Sequence, residues 1–391
     1  MPRSALILAA ALCVVWSGAA RGQEPLRIDP HLDSSLMLEG CASCHVGHGI
    51  SRSPMLARPQ QEVCLSCHDS QASIDGLVRS GALASEARPP LVTTSLAMPF
   101  SHPLSQGAFS RRQLGVVTCT SCHSPHRGFV ETTERTENAT GRKKLSGRSP
   151  DEFEFELCQE CHGSSGASTQ SLLDLSRLTH PGNRSFHPIE SPATERAPSV
   201  AASLVGGEID CTDCHGNSDS AGARGPHGSA VQFILRREYV SVDGSAESAG
   251  TYALCYSCHD RDAVLDSPNF PLHRSHVVDD MASCATCHSA HGSVNNRALI
   301  RFGEETFQAG VSPSVRSGEL GFESDAAGSG ACYLTCHGVD HAPARYGAMA
   351  GLGPIPAPSD PILSPVDHAL GDLAPSPTVE SAKPIRKKRR Q

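Results

Sequence analysis

Sixteen of the 17 cysteines fall into eight pairs, and each pair is followed at once by a histidine. Seven pairs have two residues between the thiols: Cys41/Cys44-His45, Cys64/Cys67-His68, Cys119/Cys122-His123, Cys158/Cys161-His162, Cys211/Cys214-His215, Cys255/Cys258-His259 and Cys284/Cys287-His288. The eighth, Cys332/Cys336-His337, has three. Two thiols one helical turn apart can add to the two vinyl groups of one porphyrin, and an imidazole directly after them is held beneath the iron. Composition alone would produce about 0.04 such motifs by chance. Zinc sites use CxxC pairs without demanding a histidine after each. Disulfides within CxxC pairs would staple nothing distant. The expected cofactors are therefore eight covalently attached haem c groups, with these sixteen cysteines as tethers and His45, His68, His123, His162, His215, His259, His288 and His337 as proximal ligands.

Twelve histidines remain, and only five methionines follow the N-terminal segment, too few to supply a methionine to each of eight irons. Ligation by two histidines per iron is the expectation. His48, His126 and His291 each lie three residues past a proximal histidine, in Cys-His-Val-Gly-His, Cys-His-Ser-Pro-His and Cys-His-Ser-Ala-His. A residue so placed cannot easily turn back onto the opposite face of the same iron. It should reach a neighbouring haem, and for His126 the nearest in sequence is the one at Cys158 and Cys161. His227, in Gly-Pro-His-Gly, takes the same role in displaced form. A further histidine precedes each pair of motifs: His31, His102, His187 and His276. These eight are the candidate distal ligands. His180, His273, His341 and His368 stand outside the set.

The motifs group as four doublets, which divides the chain into residues 1–22, 23–95, 96–175, 176–265, 266–350 and 351–391: an N-terminal segment, four dihaem units and a tail. The wording of the doublets, Phe100-Ser-His-Pro, Cys119-Thr-Ser-Cys-His-Ser-Pro-His126 and Thr251-Tyr-Ala-Leu-Cys-Tyr-Ser-Cys-His-Asp260, resembles the doubled-CXXCH family of bacterial multihaem c-type cytochromes. The resemblance runs from His31 to His341. It implies an exported electron carrier with little regular structure, wrapped around closely packed haems. The displaced His227 and the three-residue spacer at Cys332 depart from the pattern.

The elements that must position these groups are short. Aromatic residues make up 4% of the 391 and hydrophobic ones 38%, too few to fill large side-chain cores. Haem surface is expected to replace them. Gly, Pro and Ser are dense between motifs. The fold class expected is mostly irregular and loop-rich, with short α-helices at the haem motifs and a few short β-strands. Val231–Val242 reads as a strand or hairpin arm, as does Ala298–Phe302, and residues 128–150 as a solvated loop. Arg3, the apolar run Ala5–Trp16 and the small residues to Gly22 read as a secretory signal peptide. It would deliver the chain to the periplasm or the cell surface. No later stretch is apolar enough to span a membrane. A net charge of −8 argues against nucleic acid as partner. The Pro-rich tail with its basic end, Lys383–Arg390, reads as a disordered linker.

The function these features predict is an exported octahaem electron conduit whose partners are redox proteins, with no catalytic residue. Irons closed by two histidines have no position for substrate, and no CxxCK motif occurs. The alternatives are a multihaem reductase or oxidase of small nitrogen or sulfur species, and a subunit of a polymeric cytochrome filament.

Overall fold

A computed structural model of the chain describes residues 30–49, 55–104, 117–123, 125–126, 154–164, 173–192, 197–204, 207–302, 310–324 and 326–351. The N-terminal segment read as a signal peptide, residues 128–150 and residues 352–391 lie outside these. Loops dominate. Helices are short and gather at the cysteine motifs: α1 (Gln60–His68), α4 (Cys119–Cys122), α5 (Glu154–His162), α7 (Cys211–Cys214) and α9 (Cys284–Cys287). Single 3₁₀ turns, Gly40–Ser43 and Cys255–Ser257, carry motifs one and six. The others are α2 (Gln71–Ser80), α3 (Thr93–Leu96), α6 (Leu175–Leu178) and α8 (Arg261–Leu265).

A one-turn helix has no length to stabilise it, so its ends must. At α4 the Ser121 hydroxyl accepts from the Thr118 N–H at 3.0 Å, and at α7 the Asp213 carboxylate accepts from the Asp210 N–H at 2.9 Å. Both reach back from the third helical position to an orphan donor. The next residue, the motif histidine, is already extended: His123, His215 and His288 have φ/ψ of −105/147°, −96/127° and −105/140°. The turn thus brings two thiols together and then throws the imidazole outward.

The segments expected as strands after motifs five and seven form single bridges instead. His215 bridges Leu235 and His288 bridges Ile300, as His45 bridges Leu56 in the first unit. Each bridging residue follows residues with positive φ: Met55 at 59°, Phe233 and Ile234 at 62° and 55°, Ala298 and Leu299 at 52° and 58°. Left-handed backbone cannot continue a pleated strand, so the apolar run is spent on a kink that returns one side chain to the motif.

Two minimal antiparallel pairs stitch successive units together. β1 (Phe100–Ser101) pairs with β3 (Gly228–Ser229), and β2 (Ser185–Phe186) pairs with β4 (Gly292–Ser293). Each joins the residues just before an upstream histidine to the residues just after an internal histidine of the following unit. Glycine is required there by close approach. A Cβ on Gly228 would lie 1.9 Å from the Ser95 carbonyl oxygen, and one on Gly292 1.9 Å from that of Leu178.

Side-chain cores are small. Ile74, Leu83 and Ala87 form one, with Leu36, Met37 and Leu77 against it. Tyr252, Leu265 and Val277 form another. The last region is a sheet in which β7 (Gly330–Cys336) has β8 (Val339–Tyr346) on one edge, and β5 (Val311–Ser312) and β6 (Gly321–Glu323) pair along the other.

Candidate functional site

The histidines occur in facing pairs. His45 faces His126, His68 faces His31, His123 faces His227, His162 faces His102, His215 faces His291, His259 faces His187 and His288 faces His273, with ring centres 5.7–6.4 Å apart. Two imidazoles on one metal, at about 2.0–2.1 Å per bond and with each nitrogen about 1.1 Å from its ring centre, have centres about 6.3 Å apart. The spacing fits one iron between the members of each pair. The tightest is His45–His126, whose Nε2 atoms are 3.4 Å apart and would separate slightly to admit a metal.

Seven motif histidines therefore each oppose a second histidine, and the partners follow a rule. The upstream histidine opposes the second motif of its own unit: His31 with His68, His102 with His162, His187 with His259. The internal histidine opposes the first motif of the preceding unit: His126 with His45, His227 with His123, His291 with His215. His126 is thus not at the Cys158 motif of its own doublet, where sequence spacing would put it. The displaced His227 occupies the same position in the rule as His126 and His291.

Hydrogen bonds orient the rings. The Nδ1 atoms of His68, His102, His215 and His288 donate to the carbonyls of Pro90, Pro226, Phe233 and Ala298 at 2.7–2.8 Å. That of His187 donates to the Ala290 carbonyl, and that of His259 is hydrogen-bonded to the Ser199 hydroxyl at 2.9 Å. A proton fixed on Nδ1 leaves the Nε2 lone pair for a metal. Burial pushes His227, His259, His288 and His291 down to about 4. They stay neutral at physiological pH, as ligation requires.

Thiols and rings of consecutive motifs lie within electrostatic reach of one another along the chain. Cys44 lies near Cys67, and Cys64 lies beside Cys119. His227 senses His102, His162 senses His215, and His291 senses His187. Cys255 lies beside Cys284, and Cys287 senses Cys332 and Cys336. The motifs form a row in sequence order. Motifs three to eight share one largely apolar cavity of 3240 Å³, several times the roughly 300–1,000 Å³ of a site for one small molecule. Paired thiols, facing neutral imidazoles and apolar space fit a series of haems.

The remaining histidines are placed differently. No histidine ring opposes His48 among the described residues. His180 uses Nδ1 to accept from the Gly182 N–H at 2.9 Å, and His368 lies outside the described residues. His276 opposes neither His288 nor His337; it faces His341, at 6.4 Å. His337 has no histidine opposite it among the described residues, and its Nε2 lies 2.9 Å from Asp243 Oδ2. His273 and His341 were missed by position in the doublet. The signal for His273 was its three-residue spacing from His276, the same offset that separates His123 from His126.

A family profile described as the doubled CXXCH motif matches residues 36–73. The chain is a multihaem c-type cytochrome that carries the doubled CXXCH motif. A second profile, outer membrane cytochrome MtrC/MtrF-like, domains II/IV, matches residues 116–299 of the cytochrome. The multihaem cytochrome MtrA of Shewanella baltica (strain OS185) is 28% identical to it over 208 residues, 49% of this chain and 52% of that protein. The cytochrome thus spans about half the length of this curated relative. No solved structure matches it.

Proposed function

We propose that this cytochrome carries eight haem c groups, each iron between two imidazoles, and conducts electrons between redox proteins outside the cytoplasm. The observation that carries this reading is the series of facing histidine pairs, which follows the motif order and crosses from unit to unit. Bound haem supplies one-electron iron chemistry, and a row of haems supplies a path. The residues supply everything else. The cysteines of each motif fix its tether. The facing imidazoles would hold each iron from both sides and leave no position for a substrate, which favours electron transfer over bond-making. Carbonyls at Pro90, Pro226, Phe233 and Ala298 hold the rings in one tautomer and orientation. Because internal histidines reach back into the preceding unit, each unit is locked to the next and the units cannot separate without exposing an iron. Export rests on the apolar run Ala5–Trp16 and the small residues that follow it.

The test is direct. Intact mass after acid denaturation should show eight haem additions, and the reduced protein should remain low-spin under carbon monoxide. Fewer than eight additions overturns the count. An iron that binds carbon monoxide rapidly overturns the closed-conduit reading in favour of a substrate-open site.

A further inference from the structure

We infer that His276 and His341 are the axial ligands of the eighth iron, and that His337, although it directly follows Cys336, is not. The inference rests on the proposal that the eighth motif carries haem. It departs from the attachment pattern of the other seven motifs, and the local backbone gives the reason.

The three-residue spacer changes the element. Cys332 and Cys336 lie on β7, not on a helical turn. Two residues turn the chain into β8, since Cys336 pairs with Val339. Those two, His337 and Gly338, have φ of 47° and 82°. Positive φ at both positions is the two-residue turn that suits a twisted hairpin, and histidine is among the residues that tolerate it. His337 is thus used as a turn residue. Its Nε2, the atom the other motif histidines leave for a metal, is bonded to Asp243 Oδ2 at 2.9 Å. Asp243 is itself held by the Ser283 N–H at 2.8 Å and by the Thr286 hydroxyl, at the start of α9.

His341 stands where a ligand is needed. It pairs with Leu334, midway between Cys332 and Cys336. Directly paired residues share a face, and alternate residues of a strand share it too. The ladder is regular from Leu334 to Cys336 and irregular between Cys332 and Leu334, yet Cys332, Leu334, Cys336 and His341 all line the shared cavity, so the imidazole stands on the same side of the sheet as the two thiols. Across from it, His276 faces His341 with ring centres 6.4 Å apart and planes at 32°, within the range of the seven other pairs. His276 carries the same orienting bond as the others, from Nδ1 to the Leu272 carbonyl at 2.8 Å. It is also the upstream histidine of unit four, which the pairing rule assigns to the second motif of its own unit. Only the proximal member has changed, from the residue after the second cysteine to the residue opposite the midpoint of the strand. Tethering from either thiol is addition across a vinyl double bond: an S–C bond forms, the thiol hydrogen goes to the neighbouring carbon, and no oxidant is consumed.

The experiment uses the full exported chain and three variants, His341→Ala, His276→Ala and His337→Ala. Haem is counted by intact mass. Spin state is read by electron paramagnetic resonance and carbon monoxide binding. With eight haems in the parent, His341→Ala and His276→Ala should each turn about one iron in eight high-spin and open to carbon monoxide, or release the eighth haem alone. His337→Ala should leave every iron low-spin. The seven other irons report in each variant that the chain has folded. An open iron in His337→Ala, or neither an open iron nor a lost haem in His341→Ala, overturns the assignment while the haem count of the parent stands. A parent with motif eight empty by mass defeats the haem count itself, and the assignment with it.

Discussion

Motifs seven and eight sit side by side and solve the same problem with different backbone. At motif seven, Cys284 and Cys287 are three residues apart on one helical turn, a rise of about 4.5 Å. His288 then leaves the turn extended, its Nδ1 bonded to the Ala298 carbonyl at 2.7 Å. At motif eight, Cys332 and Cys336 are four residues apart on a strand, a span of about 13 Å, too wide for both to reach the vinyl groups of one porphyrin, so this strand offers a haem one thioether and not two. His337 is consumed by the hairpin turn. One inserted residue thus separates two ways of presenting thiols. Three positions fit a capped turn in which the histidine after the second cysteine is free. Four positions are accommodated by pairing the segment with β8, where a histidine from the partner strand lies between the thiols. The position of a ligand is set by the element that carries the thiols, and sequence adjacency follows only when that element is a turn.

The regular half of the comparison breaks first at its cross-unit ligands. His126→Ala should remove the partner of His45, leave about one iron in eight five-coordinate and open it to carbon monoxide, with every tether intact. If the two rings share an iron, the double variant His45→Ala/His126→Ala should open no more iron than His45→Ala alone. Additive losses in carbon monoxide titration would mean that they serve different irons and that units do not exchange ligands.

That exchange marks the limit of what could be read from the residues. The motifs, the loop-rich fold and the supply of paired histidines follow from chemistry local to each segment, because a capped turn needs only its own residues. Each unit holds the four histidines that two irons require, so spacing alone favours closing every unit on itself. What decides otherwise is long-range: β3 docking on β1 and β4 on β2 carry His227 and His291 away from their own motifs. The glycines that permit this, Gly228 and Gly292, are visible as His-Gly dipeptides, but the carbonyls they approach are 133 and 114 residues distant. The hairpin at motif eight was hidden for a related reason. Cys-Tyr-Leu-Thr-Cys carries no strand signal stronger than its haem signal, and only pairing with β8 makes it a strand.

The stitches can be broken individually. Gly292→Ala places a methyl group 1.9 Å from the Leu178 carbonyl oxygen, with Ser185 O at 3.2 Å, and neither backbone atom can swing aside. A loss of about 1–3 kcal/mol is expected, together with a looser His215–His291 pair and slow carbon monoxide binding. The corresponding change in the hairpin, Gly338→Ala, meets no atom within 4 Å and strains only a φ of 82°. It should cost about 1 kcal/mol and leave motifs five and seven unaffected. Thermal unfolding followed by Soret circular dichroism ranks the two. Equal costs would mean that the glycine stitches do not hold units together.

The most local effect expected comes from an ion pair beside motif six, away from any iron. The Glu247 side chain is 1% exposed and accepts from Arg261 Nε at 2.8 Å and from the Tyr256 hydroxyl at 3.0 Å. The Arg261 hydrogen bonds, the largest influence, hold its carboxyl below the ordinary 4.5, and Tyr256 and the more distant Arg274 act in the same direction. A carboxyl depressed in the folded state adds stability above its unfolded value, and that stability is lost as pH falls through the folded value. Arg261 is 39% exposed, so solvent screens part of the pair, and Glu247→Gln should cost only about 1–2 kcal/mol at pH 7. The deficit should shrink steadily as pH drops below 4.5, where the parent carboxyl becomes protonated too. Tyr256 lies between the two cysteines of motif six, so the readout is local: amide hydrogen exchange at residues 255–261 should quicken in the variant at pH 7 and converge with the parent in acid. A deficit that stays constant with pH would assign the role of Glu247 to packing and not to charge.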